Sequence, residues 1–67
     1  MDEELHSLSR RLIELRIEHA DLDEMIDRLA EVQPVDELAV RRLKKRRLAL
    51  RDEIARLERE IEPAEPA

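Results

Sequence analysis

Leu5, Leu8, Leu12, Leu15, His19, Leu22, Ile26 and Leu29 follow one another at alternating steps of three and four residues. Such steps return to one side of an α-helix, and their mean of about 3.5 residues is the repeat of a coiled-coil seam. Seven of these eight positions are apolar. A second seam runs through Val40, Leu43, Arg47, Leu50, Ile54, Leu57 and Ile61, with six of seven positions apolar. The pattern predicts two helices, over about residues 2–32 and 37–62.

Gln33-Pro34-Val35-Asp36 separates them. Pro34 disfavours helix at Gln33 and removes a backbone donor. Asp36 suits the N-cap of a helix starting at Glu37. Val35, before that cap, and Val40, four residues after it, are placed for a hydrophobic staple. Four residues is an ordinary helix–helix connection. Folding the second helix back on the first sets Leu29 against Val40, Ile26 against Leu43, Leu22 against Arg47 and His19 against Leu50. Beyond these, Leu15 meets Ile54, Leu12 meets Leu57 and Leu8 meets Ile61. Loop, cap and seams thus agree on one register. The competing arrangement is one continuous helix, since the seam phase also runs through 26, 29, 33, 36 and 40. It would bury Gln33 and Asp36 in the seam and hold Pro34 inside a helix, at about 3 kcal/mol for the proline alone. The expected fold is therefore all-α, an antiparallel hairpin of coiled-coil type over residues 1–62. Pro63 and Pro66 block helix continuation, so residues 63–67 are expected to form a disordered tail.

Composition sharpens this picture. The 67 residues include no Gly, Cys, Phe, Tyr or Trp, and 46% are charged. Strand-rich folds with tight turns, disulfide frameworks and thiolate sites are excluded. A chain this short rarely builds a core worth more than about 3–5 kcal/mol, so the hairpin is expected to dimerise into a four-helix bundle. No apolar run approaches the roughly 20 residues that span a bilayer. The acidic start Met1-Asp2-Glu3-Glu4 is unlike a secretory signal, so a cytoplasmic protein is expected.

A second apolar stripe marks where the contact would form. Ile13 and Ala20 lie outside the first seam, and Leu48 and Ala55 outside the second. In the hairpin register Ile13 is level with Ala55 and Ala20 with Leu48, on one side of both helices. Ile17 faces further out beside them. This edge is expected to bury against a second copy, or against the helix of another protein.

Arg41-Arg42-Leu43-Lys44-Lys45-Arg46-Arg47 holds six cations in seven residues, and Arg51 follows. Arg41, Arg42, Lys44, Lys45, Arg46 and Arg51 form a candidate anion or nucleic-acid patch. Opposite them in the register lie Glu18, Asp21, Asp23, Glu24 and Asp27. Residues 1–33 carry 4 Lys+Arg and 10 Asp+Glu, against 9 and 8 in the remainder. Much of the patch is therefore expected to be neutralised by the first helix. The absence of aromatics also removes base-stacking platforms, so nucleic-acid binding ranks second.

His19 and Arg47 are the polar members of the seams. His19 and Asp23 share a helix face, but two ligands make no metal site, and a polar seam residue that sets register is the simpler reading. The stem of Arg47 is expected to cover Leu22 while its head reaches Glu18 or Asp23. Ser7 and Ser9 have no base arranged around them, and no Gly-rich loop exists for phosphates. A non-enzyme without cofactor or metal is expected.

The segment His19-Ala20-Asp21-Leu22-Asp23-Glu24-Met25-Ile26 resembles the His-x-x-Leu-x-x-x-Ile signature of YdcH-like proteins, small bacterial helical hairpins of unknown function. Residues 43–54, Leu-Lys-Lys-Arg-Arg-Leu-Ala-Leu-Arg-Asp-Glu-Ile, are similar to that family's Leu-Lys-Lys-x-Lys-Leu-x-Leu-Lys-Asp-Glu-Ile segment. Arg46, Arg47 and Arg51 stand where the family mostly shows Lys or variable residues, and the loop is shorter than in many members. The resemblance implies a hairpin and a coiled coil, and no activity. Together these readings describe a small structural or adaptor module acting through helix–helix contacts.

Overall fold

A computed structural model describes the backbone of residues 2–61 and the side chains of residues 6–61. Helix α1 spans Asp2–Glu31 and helix α2 spans Glu37–Ile61. The two pack against each other as a hairpin, with no strand among the described residues. The continuous helix is thereby excluded. The side chain of Leu5 and the tail over 63–67 lie outside the described residues.

The turn is built as its residues dictate. Val32 has already left α1, one residue short of the predicted end, and its N–H donates to the Leu29 carbonyl at 3.4 Å. At the other side of the turn, Asp36 Oδ1 accepts from the Ala39 N–H at 3.0 Å. The Asp36 carbonyl accepts from the Val40 N–H at 3.0 Å. One residue thus supplies both the cap and the first helical bond of α2, which leaves fewer orphan donors at the helix start. Glu37, in the first turn, adds negative charge where the helix dipole favours it.

Burial follows the seams. Leu12, Leu15, Leu22, Ile26 and Leu50 are buried, and Leu15 has no exposed surface at all. Leu15, Leu22 and Leu50 form the centre of the core, with Leu43, Ile54 and Leu57 packed against them. Every seam position from Leu8 to Ile61 is buried or half-buried, His19 and Arg47 included. The other half-buried residues are Ser9, Glu18, Asp23, Ala39, Glu53 and Glu58. Each directly flanks the seam, so burial falls off with angle around the helix as a 3.5-residue repeat requires. A single layer of two helices covers one stripe on each and leaves the remaining faces to solvent.

Candidate functional site

Among the described residues, four ion pairs cross between the helices, and they sort onto two flanks of the seam. Arg46 pairs with Glu18, and Arg11 Nη2 lies 3.5 Å from Glu53 Oε2. These four residues, with Ala49 and Leu50, line one recess of about 220 Å³. On the other flank, Arg16 Nη2 lies 2.7 Å from Glu58 Oε2, and Arg47 Nη1 lies 2.6 Å from Asp23 Oδ1. Arg11 and Glu18 are seven residues apart, as are Arg46 and Glu53, so one heptad register satisfies both bridges at once. Exposed pairs of this kind contribute at most about 1 kcal/mol each. Their main effect is to penalise a one-heptad slip, which would set Glu18 against Glu53 in one direction and Arg11 against Arg46 in the other.

The polar seam is organised around Asp23. Its Oδ1 accepts from Arg47, while its Oδ2 lies 3.6 Å from His19 Nδ1. Asp23 thus sits between the two polar seam residues, one on its own helix and one across from it. Leucines flank this layer: Leu15 and Leu22 lie on either side of His19 along α1, and Leu50 is buried opposite.

The basic stretch is drawn on less than the sequence predicts. Only Arg46 and Arg47 of its cations form ion pairs with described residues. Arg41, Arg42, Lys44, Lys45 and Arg51 are exposed and join none of the bridges among the described residues. The reason is angular. Asp21, Glu24 and Asp27 lie off the α1 seam and are exposed, so they are level with these cations yet held beyond bridging distance of them. Charge is therefore segregated by helix at the loop half of the molecule, α1 being acidic and α2 basic.

All five residues of the expected apolar edge are exposed. Ile13, Ile17 and Leu48 show 57%, 58% and 58% of their surface, and Ala20 and Ala55 are exposed beside them. Sequence reasoning missed a second group near the turn, Met25, Val32 and Leu38, which are also exposed. The signal was present, since all three lie off the seams. Val35 and Val40 line an open recess of about 330 Å³ with Glu37, Arg41 and Lys44, where the staple was expected.

Among the described residues, no cluster of three or more His, Cys, Asp or Glu is arranged to hold a metal ion. No described helix is long and apolar enough to cross a membrane. No curated protein and no solved structure matches the chain. A family model described as a protein of unknown function (DUF465) matches residues 12–58, which hold most of both seams, the turn and three of the four cross-helix bridges, Arg11 of the fourth lying just before the match. With well over half of its length so matched, the chain belongs to DUF465, the YdcH-like family of small proteins of unknown function.

Proposed function

We propose that this protein is a small non-enzymatic structural or adaptor module that acts through helix–helix contacts, its first partner being a second copy of itself. The observation that carries this reading is the exposed edge of Ile13, Ile17, Ala20, Leu48 and Ala55. Scattered surface leucines are ordinary, but here apolar residues recur at matched levels on one side of two adjacent helices, flanking the Arg16–Glu58 and Arg47–Asp23 bridges. A hairpin with five buried side chains among the described residues has a marginal core, and covering this edge adds stability that the single chain lacks. The test is equilibrium sedimentation from micromolar to millimolar protein, paired with thermal melts over the same range. The expected result is a dimer whose Tm rises with concentration. Ile13→Glu with Leu48→Glu gives a weakly folded monomer. A wild-type chain that stays monomeric throughout, with a constant Tm, rejects the reading.

A second reading has an observation of its own. Five cations of residues 41–51 remain outside the ion pairs among the described residues, and Arg41 and Lys44 line the recess beside the turn. This favours an anion-binding face, with duplex RNA or DNA as the ligand class. It ranks below self-association because the chain has no aromatic side chain and a net charge of −5.

A further inference from the structure

The apolar edge belongs to a longer line that ends in charge. Ile13, Ala20 and Asp27 recur every seven residues on α1, each directly following a seam residue. Arg41, Leu48 and Ala55 do the same on α2. In an antiparallel pair of right-handed helices, positions so related project to the same side of the hairpin. The lines run level with each other: Ile13 with Ala55, Ala20 with Leu48, Asp27 with Arg41. All six residues are exposed, and Asp27 and Arg41 join none of the ion pairs among the described residues. Within one hairpin these positions diverge from the seam, so partners at the same level are held apart.

We infer that two copies pack face to face along these lines with their loops at the same end, about a two-fold axis parallel to the helices. Such an axis sets α1 of each copy over α2 of the other and leaves every level unchanged. Each level then becomes a square of four residues. At the first, Ile13 of each chain faces the partner's Ala55; at the second, Ala20 faces the partner's Leu48. Large meets small at both, which is how side chains interdigitate at native density. At the third level, nearest the loops, Asp27 faces the partner's Arg41 and the charges alternate around the square. The other two-fold arrangement, with the axis across the helices and the loops at opposite ends, stacks α1 on α1. Centred on the Ala20–Leu48 level, it sets Asp27 against Ile13, Arg41 against Ala55, and leucine against leucine. The Arg16–Glu58 and Arg47–Asp23 bridges lie between the facing hairpins in both arrangements; this one in addition strips water from Asp27 and Arg41 without giving them partners, so size and charge select the loops-together arrangement. This inference rests on the self-association proposed above and adds its geometry.

The chain has no cysteine, so introduced thiols report the arrangement without interference. Ala20→Cys and Leu48→Cys are prepared separately, mixed and oxidised. The expected product is a disulfide-linked dimer carrying one of each, because those positions face each other across the interface. Ala20→Cys alone should not crosslink, since its copies lie on the diagonal, beyond the roughly 7 Å Cα separation that a disulfide spans. An independent arm uses charge. Arg41→Glu should raise the dimer dissociation constant by roughly tenfold or more through like-charge contacts with the partner's Asp27. Asp27→Arg in the same chain should restore it to within about threefold. A wild-type dimer in which Ala20→Cys crosslinks with itself, or in which the charge reversal has no effect, overturns the loops-together geometry and leaves self-association standing. A monomeric wild-type chain removes both.

Discussion

Asp23 on α1 accepts a hydrogen bond from Arg47 of α2 at 2.6 Å, and its second oxygen faces His19 at 3.6 Å. The acid thereby holds the cation of one seam against the imidazole of the other, in a layer otherwise made of leucine. Arg47 and Asp23 remain 34% and 46% exposed, so the pair has escaped most of the desolvation penalty of a buried bridge, and solvent limits its strength to about 1 kcal/mol. Asp23→Ala should lower stability by about that amount at low salt and by less at molar salt. Urea titrations followed by circular dichroism at the two salt concentrations check this; an unchanged effect at molar salt would mean that packing, not charge, is involved.

Arg47 is expected to respond differently to two replacements. Arg47→Leu exchanges a polar seam residue for one that fills the same volume against Leu22. It should be neutral or stabilising by up to a few kcal/mol, as replacement of ion pairs by packed apolar groups often is. Arg47→Ala loses the bridge and the packing of the stem together, and should destabilise by about 1–2 kcal/mol. The order of their urea midpoints is the readout, with Leu above wild type or equal to it, and Ala below.

Leu15 is the most buried side chain of the hairpin. Leu15→Ala should cost about 2–5 kcal/mol, which is comparable with the whole stability of a core this small. The variant should be largely unfolded at 25 °C by far-ultraviolet circular dichroism. Leu38→Ala, at a position 57% exposed, should change stability by no more than about 0.5 kcal/mol.

The cap at Asp36 is tested by its geometry. Asp36→Ala removes the acceptor of the Ala39 N–H and should cost about 1 kcal/mol, while Asp36→Ser should retain most of it. A loss in the Ala variant that the Ser variant fails to recover would point to charge at the helix start as the larger contribution.

For nucleic acid, binding of a generic duplex at physiological salt is expected to be non-specific, with Kd of about 10⁻⁴ to 10⁻⁶ M. Fluorescence anisotropy with labelled duplex RNA and DNA measures it. Submicromolar binding that is abolished by changing Lys44, Lys45 and Arg46 to Glu would place the basic face ahead of the apolar edge.

The helices, the turn and the pairing of the seams were all legible in the chain. Each depends on short-range rules: a 3.5-residue repeat, a proline that interrupts it, an aspartate that restarts it, and a four-residue loop that leaves one way to align two stripes. The apolar edge was legible for the same reason, since whatever lies off a seam in a two-helix layer stays exposed. Charge pairing was decided only in the tertiary structure. Arg47 could be assigned to Glu18 or Asp23 from the sequence; the fold gives it Asp23, because Arg46 on the opposite flank takes Glu18. The same geometry leaves Arg41, Arg42, Lys44, Lys45 and Arg51 outside those bridges, although acidic residues lie level with them along α1. Long side chains can reach several partners at one level, and the angle at which each leaves its helix, which only packing sets, determines which one it meets.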